Sequence, residues 1–232
     1  MTPRRARLGA PLALAALAMA AALPRQARAA GDAPPIGVGP IDKERLPQPG
    51  SYTLERIHRA PDGEVLTVHG TRRRLHALLR GQLSVVSFMY TYCRDPVGCP
   101  LALRTLAATH SALLAEPALA RRAQLVSLSF DPTNDTPEAM ARYGHAFLSE
   151  PRLRWQFLTT ASVHRLLPLL EGFGQDVSVE LDARGRPTRT LNHQLKVFLV
   201  DGALDVREIY GVETLDVAVL VNDLRTLSAT TG

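Results

Sequence analysis

Cysteine is scarce in this chain: two among 232 residues, Cys93 and Cys99, separated by five positions. A bridge closing so short a loop would stabilise a domain only modestly, because the entropic gain grows with loop length. A structural disulfide, a redox pair and a metal site all remain open on the cysteines alone. There is no internal repeat and no low-complexity tract, which excludes solenoid and fibrous architectures. Lysine occurs only at Lys43 and Lys196 against many arginines and alanines, a compositional bias with no functional reading.

Net charge is also missing once the leader is set aside. The formal +5 comes from residues 1–29, which hold five arginines and no acid. Beyond them, basic and acidic residues balance, so the basic pI gives no reason to expect nucleic acid as a partner. Arg4, Arg5 and Arg7 precede an Ala/Leu-rich run from Leu8 to Leu23, followed by small residues up to Ala29. That order is the n-region, h-region and cleavage pattern of a secretory signal. The run is short for a span of about 20 apolar residues, and Pro11 interrupts it, so an uncleaved anchor is the less favoured alternative. The expectation is export, with cleavage after Ala29 and a periplasmic protein of roughly 200 residues, enough for one domain. Residues 30–50, with five prolines and four glycines, are expected to be a linker or arm. Residues 51–232 are the expected folded domain.

The body alternates strand and helix signals. "YTLERI" and "EVLTV" flank the turn "APDG" and are expected to pair as an N-terminal hairpin. "LSVVSFMY" and "AQLVSLSF" are unbroken β-branched and aromatic runs, expected as buried central strands. Cys99-Pro100 opens a helix, proline at a first-turn position being tolerated for its missing N–H. Thr136 is a candidate N-cap ahead of Pro137. "RWQFLTT" is a third strand, "SVHRLLPLLEGFG" a helix, "DVSVEL" a strand followed by the turn "ARGRPT". "LKVFLVDGALDVREIYG" is a hairpin and "ETLDVAVLVNDLRTL" a final helix. A β-α-β core followed by β-β-α predicts an α/β, thioredoxin-like domain: a central mixed sheet flanked by helices, with the N-terminal hairpin added. The cysteines then sit at a strand-to-helix junction. The helix N-terminus carries unpaired N–H groups and partial positive charge, which favour a thiolate, and Arg94 adds to that. Tyr90 and Tyr92 read as walls of this site. Trp155 and Met89 read as core.

Three features line up: the cysteine pair before a helix with Pro100 after the second, "SFDPTNDTPE" from Ser129 to Glu138, and "LNHQLKVFLVD" with His193 ahead of a strand. Together they resemble the SCO/SenC family of copper-binding thioredoxin-fold proteins, over roughly Tyr52 to Leu227. The resemblance implies a copper site, Cu(I) or Cu(II), whose ligands are Cys93, Cys99 and His193, with Asp131 in a supporting role. Soft thiolates suit Cu(I), and an imidazole suits either state. It further implies a metallochaperone delivering copper to the copper-centre subunit of cytochrome c oxidase or another cuproprotein. A periplasmic thioredoxin-like reductant would keep the thiols reduced. The spacing here is C-x5-C where the family's usual spacing is C-x3-C, with Pro96-Val97-Gly98 expected to turn outward. The alternative is a thiol-disulfide oxidoreductase acting on an acceptor's cysteines, with Cys93 attacking and Cys99 resolving. A peroxidase on the same fold is weaker, since nothing beyond the cysteines calls for it.

Overall fold

The computed structural model describes residues 45–230. The expected signal segment and most of the expected arm lie outside these residues. Among the described residues no helix is long and apolar enough to cross a membrane.

The core among the described residues is a mixed sheet of six strands in the order β1 (His58–Arg59), β10 (Asp205–Tyr210), β9 (Val197–Val200), β4 (Leu83–Met89), β5 (Ala123–Ser129) and β6 (Trp155–Leu158). Its centre is β4 (Leu83–Met89), every residue of which is buried. β5 (Ala123–Ser129) is likewise buried and runs parallel to β4. β6 (Trp155–Leu158) extends the parallel set. Strands covered on both faces have no solvent side, which is why "LSVVSFM" and "AQLVSLS" show no alternation. Their serines lie inside yet are satisfied: Ser87 Oγ meets Ser127 Oγ at 3.1 Å, and Trp155 Nε1 donates to Ser127 at 3.0 Å. On the other side of β4 the late hairpin, β9 (Val197–Val200) and β10 (Asp205–Tyr210), adds antiparallel strands. The thioredoxin-like arrangement read from the sequence is thus the observed one.

Helices flank this sheet. α1 (Leu75–Leu79) is short, and α2 (Cys99–Leu114) follows β4 directly. α3 (Pro117–Ala120) turns the chain into β5. α4 (Pro137–Leu148) starts where expected, with Thr136 Oγ1 accepting from Ala139 N at 3.3 Å. It lies so close to β6 that a Cβ on Gly144 would fall 2.3 Å from the Phe157 ring. α5 (Val163–Phe173) contains Pro168 and ends at Gly174, whose φ of +64° is the left-handed cap that glycine allows. α6 (Val217–Thr230) closes the domain against α2.

Two strand expectations need correction. "YTLERI" does not pair with "EVLTV". No residue of it is strand; β1 (His58–Arg59), which follows it, joins the sheet edge beside β10. The preceding residues are held by side chains instead: Arg207 Nε donates to the Leu54 carbonyl at 2.8 Å, and the Tyr52 hydroxyl donates to Asp223. The true partner of β2 (Glu64–Leu66) is β3 (Arg72–Arg74). A turn through Gly70, at φ +71°, brings them together, and Arg72 then reaches Glu64 at 3.1 Å. The second correction is a strand not foreseen. β7 (Val177–Leu181) pairs with β8 (Pro187–His193) in a two-stranded ribbon separate from the main sheet.

Candidate functional site

The site forms where β4 ends. From Met89 the chain leaves the sheet, and α2 begins at Cys99 with Pro100 in its first turn. Two tight turns fold the intervening loop back. Cys93 N donates to the Tyr90 carbonyl at 3.2 Å, and Gly98 N to the Asp95 carbonyl at 3.0 Å. Asp95 Oδ1 also accepts from Val97 N at 3.1 Å, the local side-chain turn that aspartate favours. The expected outward turn at Pro96-Val97-Gly98 is therefore present, and it leaves Val97 at 57% exposure. Cys99 is buried and Cys93 half-buried; both are free thiols.

Burial pushes the Cys99 thiol up to about 12, and the neighbouring Cys93 thiol adds to the rise. The helix N-terminus was expected to favour a thiolate; at Cys99 desolvation outweighs it. Such a thiol is a poor nucleophile in the apo protein. A bound cation would reverse that logic by stabilising the thiolate directly.

His193 arrives from the end of β8. Its Nδ1 donates to the Leu191 carbonyl at 2.8 Å, which leaves Nε2 as the ring's free lone pair. That Nε2 lies 3.9 Å from Cys99 Sγ. The imidazole packs on Phe130 with centroids 4.5 Å apart and on Tyr90 at 6.0 Å. Cys99 thus neighbours both other expected ligands, close enough to the Cys93 thiol to feel it electrostatically and facing His193. As they stand, no three His, Cys, Asp or Glu side chains among the described residues form a closed metal cage. The donor chemistry nonetheless fits a soft metal: two thiols and one unprotonated imidazole nitrogen. The 3.9 Å gap is within the reach of a metal bonded to both atoms, whose bonds to sulfur and nitrogen are each about 2.0–2.3 Å.

Asp131 is placed one layer out. It makes no hydrogen bond to a cysteine or to His193. Its Oδ2 accepts from the Tyr92 hydroxyl and from Asn134 Nδ2, and its Oδ1 accepts from Thr133 N at 3.1 Å. Burial works to raise this carboxyl, but the hydrogen bonds from Tyr92 and Asn134 outweigh it and hold it below the usual range. Asp131 thus holds Tyr92, the residue before Cys93, and touches none of the expected ligands.

Sequence reasoning missed Asp135, quoted only as part of a motif. It is fully buried and accepts from Thr91 N at 3.2 Å, Thr91 Oγ1 at 2.6 Å and Ser129 Oγ at 2.6 Å. It ties the end of β5 to the start of the cysteine loop. An aspartate directly ahead of an N-cap threonine was the available signal. Arg189 was also missed. It stands on β8 with its guanidinium 4.6 Å from the Tyr92 ring centroid.

Fold and site together define a thioredoxin-like α/β protein with two thiols and an imidazole gathered at the N-terminus of a helix. A family model described as SCO1/SenC matches residues 65–229, more than half of the chain, and the chain belongs to that family. No curated protein is similar enough in sequence to match. Among solved structures the chain resembles ScoI of Arabidopsis thaliana, described with copper bound. The two are 19% identical with a TM-score of 0.61, over 74% of this chain and 98% of that one. A SCO1/SenC family lipoprotein from Bacillus anthracis matches at 20% identity and a TM-score of 0.62, over 78% of this chain and 100% of that one. BsSco is described as a member of the Sco family of cytochrome c oxidase assembly proteins with a disulfide switch. It matches at 21% identity and a TM-score of 0.55, over 75% of this chain and 96% of that one. At these identities the structures establish the fold.

Proposed function

We propose that this protein is an exported, periplasmic copper carrier that holds copper on Cys93, Cys99 and His193 and hands it to a cuproprotein. The copper centre of cytochrome c oxidase is the acceptor best supported by the family. The observation that carries this reading is His193 Nε2, freed by the Nδ1 bond to Leu191 and set 3.9 Å from Cys99 Sγ. A redox dithiol has no need of a donor nitrogen there; a soft metal does. Copper is cargo on this reading, so the chain supplies donors and no turnover. The thiols give up their protons on loading, and the buried setting of Cys99 keeps water from competing. Delivery requires that the donors exchange one at a time with those of the acceptor.

The test is anaerobic Cu(I) titration of the reduced protein beside His193→Ala and a Cys93→Ser/Cys99→Ser double variant. One copper per chain is expected, weakened in the first variant and lost in the second. Unchanged affinity in His193→Ala would remove His193 from the site.

A second reading is supported by the placement of both free thiols on the one loop, near enough to influence each other, and by the greater exposure of Cys93. In it the Cys93 thiolate attacks an acceptor disulfide, one acceptor sulfur leaves as thiolate, and a mixed disulfide forms. Cys99, deprotonated, then displaces the second acceptor sulfur. The acceptor is left as a dithiol and this chain as the Cys93–Cys99 disulfide, to be reduced by a thioredoxin-like partner. Trapping a mixed disulfide in Cys99→Ser would support it; failure to trap one with a copper-centre domain counts against it.

A further inference from the structure

His193 opens onto a groove of roughly 490 Å³ that the copper-carrier reading leaves unassigned. One lip is the loop between the cysteines, with Asp95, Val97 and Gly98; the other is the turn after β10, with Gly211, Val212 and Glu213. Both lips are fixed by their own hydrogen bonds. Asp95 caps the first through Val97 N, and Gly211 N donates to Thr214 Oγ1 at 3.0 Å in the second. Val97 and Val212 stand at 57% and 48% exposure, apolar groups held in solvent on opposite sides of one groove. Each is accompanied by a carboxylate, Asp95 or Glu213, and among the described residues neither carboxylate has an ion-pair partner. On its other flank the site has a cleft bordered by Arg94 and Arg189 with Tyr90 and Tyr92, and Asp95 lines both that cleft and the groove.

We propose that the Asp95–Val97 and Val212–Glu213 lips form a docking groove for a protein segment that carries an apolar side chain next to lysine or arginine. An apolar centre with acidic edges complements such a segment and rejects an acidic one. The lips are already fixed, so little ordering opposes association. The groove adjoins His193, so a segment seated there brings its owner's metal donors beside the exchangeable imidazole. In that respect the inference rests on the copper-carrier reading and names how the partner of that site is recognised. It also gives the five residues between the cysteines a role that neither ligation nor disulfide chemistry supplies.

The test is an NMR titration of the whole reduced, ¹⁵N-labelled protein with two capped peptides. One carries a leucine between two lysines, the other a leucine between two glutamates. The basic peptide is expected to shift amides at 95–98 and 211–214, and the acidic peptide to leave them unmoved. Glu213→Lys should weaken basic-peptide binding roughly two- to five-fold, the range for one exposed pair. Val212→Ser should weaken it roughly five-fold through lost apolar contact. Both positions are exposed, so neither change threatens folding. The proposal is overturned if the basic peptide leaves these amides unmoved, if the acidic peptide shifts them equally, or if Glu213→Lys changes nothing. Shifts that grow with the protein's own concentration, without peptide, would mark a self-association surface and also overturn it. Copper titration of the same sample judges the carrier reading separately. Normal peptide shifts without copper uptake would remove that reading and leave the groove.

Discussion

The Arg189 guanidinium lies over the ring of Tyr92, 4.6 Å from its centroid, while the Tyr92 hydroxyl donates to Asp131. Tyr92 is therefore clamped between the β7–β8 ribbon and the turn after β5, one residue from Cys93. The ribbon pairs with no strand of the main sheet. At its base Gln175 Nε2 reaches the carbonyls of Asp176 and Gln194, at 3.2 and 3.0 Å. His193 packs against Phe130 at that same base, opposite Val177, and farther along the ribbon Arg189 makes the contact with Tyr92.

Replacing Arg189 by Gln removes the cation from the ring. An exposed contact of this kind is worth about 0.5–1 kcal/mol, so amide exchange over residues 177–193 should rise roughly two- to five-fold. Exchange in β4 and β5 should stay as it was. Hydrogen-exchange mass spectrometry distinguishes the two regions, and a uniform rise across the sheet would show that Arg189 acts on the whole fold instead.

The two cysteines should differ in reactivity. Cys93 is half-buried, while Cys99 is buried with its thiol pushed up to about 12. Its thiolate, the reactive form, is therefore scarce at neutral and mildly alkaline pH. Iodoacetamide should label Cys93 first, and in Cys93→Ser the remaining thiol should react more slowly than a free cysteine and speed up as pH rises. Mapping the alkylated peptide by mass spectrometry checks this; equal labelling would contradict the burial of Cys99.

Asp131 should make stability pH-dependent in a defined direction. Its folded pKa is depressed, so the stabilisation it contributes is present above its unfolded value, near 3.8. That contribution is lost as pH falls through the lower folded value. Asp131→Asn should therefore unfold at lower denaturant than the parent at pH 7, with the gap closing in acid. Urea melts at pH 7, 4 and 3 provide the comparison, and a constant gap would mean that shape, not charge, matters at this position.

Gly144→Ala tests packing away from the site. The added Cβ would lie 2.3 Å from the Phe157 ring, so α4 or the ring must move. Overpacking of this kind costs about 1–3 kcal/mol. The melting temperature should drop while copper stoichiometry holds; an unchanged melting temperature would show that the helix shifts without penalty.

The parts legible in the sequence are those whose causes are local. Unbroken apolar runs exposed β4 and β5 because both faces of those strands are covered. Pro100 and the Thr136-Pro137 pair marked two helix starts, and His193 was placed by the segment in front of β9. The β2 pairing was not legible: the alternating "YTLERI" across the "APDG" turn looked like the partner, and the actual choice was made by the turn through Gly70 and by Arg72 meeting Glu64. β8 was hidden because "PTRTLNH" lies on an exposed ribbon and carries little apolar signal. The Arg189–Tyr92–Asp131 clamp joins three distant parts of the chain, and only the folded topology brings them together. Asp135 looked like one more loop acid until its buried hydrogen bonds were seen.

Cys93 lies just past the end of β4, and His193 lies at the base of the β7–β8 ribbon, a few residues ahead of β9, the strand that pairs with β4. On the copper-carrier reading, a thiol and the imidazole therefore hang from neighbouring strands of one sheet, and the hydrogen-bonded register of β4 against β9 acts as the ruler of the site. The outer turn of the ribbon can flex without drawing the imidazole away from the thiols.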